Sequence, residues 1–366
     1  MAALMHQAYL PEISRMPFEL GPLGPFPHTP LHNVLERRWL HYAFLSRDNT
    51  LGMVANISWL GPASIQMNES IHRMPILLIH ERGRGWQASQ FNAESETALW
   101  SAFRFPHAMG HPQLFTLKSV AGSPAVTLTM QRSSRPCTSQ CAPFSDRQYL
   151  RWQSESGVIA SGDWEIEDRL YKNVEAVGYH ERVRGTWGWP EMGGWVFGFA
   201  NDPAQQAPPQ KRGSSQKSAP PPTAVVFTLI QPPAPPDAVT GSVMLWQDGR
   251  LRRHFPRRNI QVAVRGQLDR DCVCQVPELS NLFGVPPMAP IPRRLMITAQ
   301  MGPDWVVLDF TCESAARVVI PNETGITPYT VHEVIGPCCI EGQCNGRAFG
   351  FETYGIVEFA GGANQD

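Results

Sequence analysis

The sequence predicts an all-β protein of two β domains in tandem, and three observations carry that prediction. There are 34 Pro and 30 Gly among 366 residues, a density of breakers that forbids long helices and punctuates many short segments. Apolar and β-branched runs recur between polar or Gly-bearing turns, which is the spacing of a sandwich or barrel. The length suffices for two domains of ordinary size, each burying its own core.

Residues 1–34 read as an extended lead-in, with Pro22, Pro25, Pro27 and Pro30 among them. The first domain is expected over 35–185, with strands at 38–44, 52–60, 75–80, 113–117, 125–130 and 161–166. Helix is confined to a short stretch around 94–102, and 136–141 reads as a loop. The second domain is expected over 186–366, with strands at 195–200, 223–230, 260–264, 295–299, 305–310 and 355–359. Two hairpins have a mechanism: Asp248-Gly249 and Asn345-Gly346 each lie between β-type runs, and both dipeptides accept the positive φ of a tight turn. Residues 201–223 are dense in Pro, Gln, Ser and Lys. They bury too little apolar surface to offset ordering, so they are expected to form a mobile insertion between hairpin partners. No internal repeat is visible.

Composition narrows the function. A net charge of -1, from 31 basic against 32 acidic residues, gives no footprint for nucleic acid or an anionic surface. No run reaches the roughly 18 apolar residues of a membrane span. No basic-then-apolar signal opens the chain, so the cytoplasm is the default location. The eight Cys are then expected as free thiols, and the sequons at Asn56, Asn68 and Asn322 are idle. Nucleophile-elbow, phosphate-loop and dinucleotide motifs are absent. Cys272 and Cys274, or Cys338, Cys339 and Cys344, lack paired knuckles or a His at finger spacing. His107 and His111 lie in a Pro- and Gly-bearing segment that does not favour a shared helical face. No metal and no cofactor are expected.

Chemistry concentrates in 177–199. There Tyr179, His180, Glu181, Arg182, Arg184, Trp187, Trp189, Trp195 and Phe197 crowd a Gly-rich run. Charges and tryptophans interleaved so closely do not serve a simple alternating strand. The run is either a ligand site or a junction with tryptophans in two cores and charges solvated between them.

This run resembles the Gly-Tyr-x-Asp-x-x-Trp-Gly signature of the carotenoid 1,2-hydratase (hydroxyneurosporene synthase) family and its AttH-like relatives. Gly178 and Tyr179 match, Glu181 stands for the Asp, and Arg184 falls where the Trp belongs, with Trp187-Gly188 three residues on. The run 38–42, the Glu81–Gly85 turn, the hairpin from Trp246 to Phe255 and the closing strand with Glu352 and Tyr354 also have counterparts. Fungal decalin-forming Diels-Alderases and plant tocopherol cyclases are distantly similar. The resemblance implies two lipocalin-like β-barrel or sandwich domains holding an apolar polyene, isoprenoid or polyketide between them. It implies a hydratase, cyclase or isomerase without a cofactor; a non-catalytic carrier of a hydrophobic molecule is the alternative.

Protonating an isolated alkene needs a carboxylic acid that burial keeps neutral and aromatic faces that stabilise the cation. Glu181 is the candidate acid and Glu352 the second, with Tyr179 or His180 orienting acid or water. Trp39, Trp187, Trp189, Trp195, Trp246 and Tyr354 are the candidate substrate-binding residues. A salt bridge from Glu181 to Arg182 or Arg184 is the competing role, since it would lower the acid's pKa. A pericyclase would need no acid.

Overall fold

The computed structural model describes residues 36–60, 72–89, 113–118, 124–131, 133–134, 136–143, 148–188, 193–203, 223–231, 240–276, 291–320 and 329–362. The expected lead-in at 1–34, the helix at 94–102, Trp189, His107, His111 and most of the 201–223 insertion lie outside them. The described chain is all β. Its first sheet comprises β1 (Glu36–Ser46), β2 (Leu51–Leu60), β3 (His72–Glu81), β4 (Gly85–Ala88), β5 (Gln113–Lys118), β6 (Ala125–Gln131), β7 (Cys137–Pro143), β8 (Tyr149–Ile166) and β9 (Arg169–Thr186). The second comprises β10 (Gly194–Asn201), β11 (Thr223–Gln231), β12 (Thr240–Gln247), β13 (Arg250–Pro256), β14 (Ile260–Arg265), β15 (Val273–Val276), β16 (Arg294–Met301), β17 (Asp304–Thr311), β18 (Ser314–Ile320), β19 (Tyr329–Cys344) and β20 (Arg347–Gly362).

Strand order in the first sheet is β4-β3-β2-β1-β9-β8-β6-β5, with β7 also on β8; in the second it is β13-β12-β11-β10-β20-β19-β17-β16-β14, with β18 on β19 and β15 on β18. The two share a plan. An antiparallel meander opens each, and a long closing hairpin returns to lay its last strand beside the first, β9 on β1 and β20 on β10. The sequence offered no visible repeat; the topology contains one.

Alternation along the strands creates two faces per sheet. Leu40, Tyr42 and Phe44 of β1 turn into the first sheet's own core with Met53, Ile79, Leu128 and Trp164. Val225, Phe227, Leu245 and Phe310 fill the second. The opposite faces meet each other: Trp39, Ala43, Trp152, Tyr179 and Trp187 pack with Trp195, Phe197, Phe199, Val226 and Ile356 in one shared cluster. The seam is also pinned by Ser242 Oγ, which donates to the Ser139 carbonyl at 2.9 Å, and by Asn201 Nδ2, which donates to that of Gly178 at 3.3 Å.

Both dipeptide hairpins form. Asp248 and Gly249 have φ of 53° and 66°, Asn345 and Gly346 of 52° and 75°. The strand expected at 195–200 pairs with that at 223–230 as β10 and β11. The loop expected at 136–141 is instead strand β7, paired to β8; its Ser139, Gln140 and Pro143 carry little β signal, and the pairing partner supplies what local propensity lacks. The described cysteines, Cys137, Cys272, Cys274, Cys312, Cys338, Cys339 and Cys344, are free. Among the described residues no helix is long and apolar enough to cross a membrane.

Close approach of β1 and β9 requires Gly178, where an added Cβ would sit 1.9 Å from the Ala43 carbonyl oxygen. Gly178→Ala should therefore destabilise the protein by about 1–3 kcal/mol, read as a lowered urea midpoint by intrinsic fluorescence; an unchanged midpoint would show that the two strands can part there.

Candidate active site

The cross-strand register decides which side chains face the seam. Glu181 on β9 is paired with His41 on β1 and Ser154 on β8. In the next row of the first sheet, Val183 lies between Trp39 and Trp152. In the second sheet, Glu358 on β20 is paired with Phe197 on β10 and Glu333 on β19. The two rows meet, and the groups in them are buried: Glu181 is 2% exposed, Glu333 4%, Glu358 6% and His41 1%.

Glu181 is held by three donors. Trp39 Nε1 donates to Oε1 at 2.9 Å, while Trp152 Nε1 at 2.5 Å and the Tyr179 hydroxyl at 2.8 Å donate to Oε2. The Tyr179 hydroxyl also bonds Ser154 Oγ at 2.6 Å. Tyr179 can thus donate to a carboxylate, or accept from a carboxylic acid and donate onward to Ser154. Around the acid stands an aromatic cage. Trp39 meets Trp152 edge-on at 5.8 Å and Trp187 at 5.5 Å, and stacks on Trp195 at 6.2 Å. Phe197 approaches Tyr179 at 4.8 Å and Trp152 at 5.6 Å, and Tyr329 stacks on Trp195 at 5.6 Å. Trp187 Nε1 is buried without a hydrogen-bond partner.

Burial, reinforced by the charge of Glu358, pushes the Glu181 carboxyl from 4.5 up to about 8, even against its three donors. Glu333 is raised well above the usual carboxylate range by burial, by the charge of Glu358 and by its hydrogen bond to Glu358. Glu358 is also raised by burial, against the opposing pull of Glu333 and the Trp195 Nε1–H bond. Burial drops the His41 imidazole from 6.5 to about 3, so it stays neutral.

The structure brings Glu181, Tyr179, Trp39, Trp187 and Trp195 together. Others are elsewhere. His180 points to the opposite face of β9, stacked on Tyr42 at 4.3 Å with Nδ1 donating to the His41 carbonyl at 2.9 Å. Arg182 and Arg184 share that face by alternation, and Arg182 acts on Tyr42 rather than on Glu181. Glu352 is on the same strand as Glu358 but exposed. Tyr354 donates to Glu313 at 3.0 Å and lies under the Arg82 guanidinium at 4.7 Å. Trp246 is buried in the shared cluster beside the Asp248-Gly249 turn, at a cavity of about 150 Å³ lined with Ser133, Ser134 and Ser156. Sequence reasoning missed His41, Trp152, Glu333 and Glu358. One signal was present: Gly355-Ile-Val-Glu358 repeats the spacing of Gly178-Tyr-His-Glu181.

A carboxyl whose folded pKa stands above its unfolded one makes stability fall as pH rises between the two values. For Glu181 that window is 4.5 to about 8. His41 opposes it only below 6.5, where the unfolded imidazole takes up a proton. Between pH 6.5 and 8 the acid therefore acts alone of the two. Urea unfolding should show at least about 1–2 kcal/mol less stability at pH 8 than at pH 6.5, the raised carboxyls of Glu333 and Glu358 acting in the same direction, and Glu181→Gln should shrink that difference. An unchanged difference would mean Glu181 ionises near its ordinary pKa.

No protein-family model matches this chain, and no curated protein does. Solved structures do. A putative AttH from Nitrosomonas europaea superposes with TM-score 0.53 at 10% identity, covering 92% of this chain and 98% of that one. Kievitone hydratase from Nectria haematococca superposes with TM-score 0.51 at 8% identity, covering 88% of each. CghA with Sch210972 gives TM-score 0.48 at 11% identity over 90% of this chain and 89% of that one. At these identities the likeness concerns the fold: two tandem lipocalin-like β units arranged as in the AttH and hydratase structures.

Proposed function

We propose that this chain is an acid–base enzyme of secondary metabolism that hydrates, cyclises or isomerises an apolar polyene, isoprenoid or polyketide at the seam between its sheets. Glu181 is the proton donor. The observation that carries the reading is the grip on Glu181 by Trp39, Trp152 and Tyr179 inside an aromatic cage. A carboxyl anchored by ring N–H and O–H groups has a fixed direction, and the aromatic rings around it offer the electron-rich faces that stabilise a carbocation. The unpartnered Trp187 Nε1–H suits an oxygen on the substrate. One structure of the same fold bears the name of a hydratase, the reaction type proposed here.

In the hydration form, the Glu181 O–H proton adds to one alkene carbon and the π pair becomes the new C–H bond. Positive charge develops on the neighbouring carbon against the indole faces. A water oxygen closes on that carbon and loses a proton, which restores the acid by way of Tyr179. Cyclisation follows the same first step, with a second double bond of the substrate replacing water as the nucleophile. Isomerisation replaces that nucleophile with loss of a neighbouring proton.

The test is expression in a host that makes acyclic carotenoids, with mass spectrometry of the pigments. A product one water heavier is expected. Glu181→Gln should abolish that product while lycopene still quenches tryptophan fluorescence. Recovery of unchanged polyene bound to the natural chain would make it a carrier; no product and no bound polyene would exclude polyenes and turn the search to polyketides.

A further inference from the structure

We infer that His41, Glu333 and Glu358 form a binding site for one divalent transition-metal ion, of the zinc, manganese or iron(II) class. A ring nitrogen of His41 and one oxygen from each carboxyl all lie within 4.8 Å of one another. Metal–ligand bonds of about 2.1 Å place ligand atoms roughly 3–4 Å apart in tetrahedral or octahedral sites. A closure of about 1 Å thus brings the three ligands to coordination distance and leaves the remaining positions of the shell open. No other trio of His, Cys, Asp or Glu among the described residues meets this spacing.

A second observation points the same way. His41 Nε2 and Glu333 Oε2 are buried with no hydrogen-bond partner, on residues 1% and 4% exposed. A buried polar atom left unpaired costs about 1–3 kcal/mol, and two of them belong to one cluster. An ion satisfies both. Two carboxylates also neutralise a dication, so the loaded site carries no net charge into the apolar seam. One imidazole with two carboxylates favours zinc, manganese or iron(II) over calcium, which takes oxygen alone, and over copper(I), which takes sulfur. Trp195 Nε1, donating to Glu358, supplies the outer contact that fixes a ligating carboxylate.

The placement gives the ion a mechanical role. Glu333 and Glu358 are cross-strand partners on β19 and β20, whereas His41 is on β1 of the first sheet. The bound ion ties one sheet to the other. This inference rests on other residues than the acid reading, since the donors to Glu181 are Trp39, Trp152 and Tyr179 and none of the three ligands; the two sites meet only through the charge of Glu358, which acts on Glu181.

The test uses full-length chain expressed in cobalt-supplemented minimal medium, with elemental analysis and visible absorption of the purified protein. One cobalt per chain is expected, with d–d bands and no intense sulfur-to-metal band. Glu333→Gln and His41→Gln should each lower retained cobalt by roughly tenfold or more with an unchanged far-ultraviolet circular dichroism spectrum, while His254→Gln keeps it. Should one variant misfold, the natural chain still decides: zinc should raise its melting temperature and dipicolinate should lower it. Absence of cobalt, equal retention in the ligand variants, or a thiolate band would overturn the site. Cobalt retained in Glu181→Gln with turnover lost would leave the metal site and the acid reading each standing; cobalt absent with turnover intact would remove the metal site alone.

Discussion

A carboxyl group taken out of water must be held by donors that are themselves out of water, or it must shed its charge. That constraint organises the centre of this molecule. Indole N–H groups meet it well, because each offers one directed donor on a large apolar body and leaves nothing else polar to satisfy. Trp39 donates to Glu181 and Trp195 to Glu358, and the two rings stack on each other across the seam. The polar and apolar parts of the seam are therefore the same side chains, used at different atoms.

The pairing is repeated. In each sheet the first strand carries the Trp and the last strand the Glu, with the same offset: Trp39 stands opposite Val183 and His41 opposite Glu181, as Trp195 stands opposite Ala360 and Phe197 opposite Glu358. The copies then differ where it matters for chemistry. Beside Glu181, β8 supplies Ser154; beside Glu358, β19 supplies Glu333. One acid sits among hydroxyls and indoles, while its counterpart sits beside a second carboxyl and faces an imidazole. A single framework thus presents two environments that push carboxyl groups in different ways.

What the sequence discloses follows from how local each determinant is. The Asp248-Gly249 and Asn345-Gly346 turns were legible because two residues set the backbone. Tyr179 and Glu181 were legible because they fall in a short Gly-Tyr-x-acid motif within a run dense in charges and tryptophans, and Trp39 and Trp187 stand out as large apolar residues among charges. His180 was misplaced by adjacency, since neighbours on a strand point apart. Glu352 was named and Glu358 was not, although both lie on β20: only the pairing of β20 with β10 shows which reaches the seam. Trp152, His41 and Glu333 arrive through contacts between distant strands, which no local pattern encodes. The long closing hairpins were read as fragments because their seam faces mix Ser, Glu and Gly with apolar residues.

The shared seam also sets an order of events during synthesis. The first sheet is complete when Thr186 has been made, but its Trp39, Trp152 and Tyr179 face waits for strands that end at Gly362. At about 5–20 residues per second, that wait is on the order of 10–30 s. For that interval a nascent half carries a bare aromatic surface with an acid at its middle. The ribosome-bound chain, more than the finished protein, is where this architecture meets the hazard of aggregation.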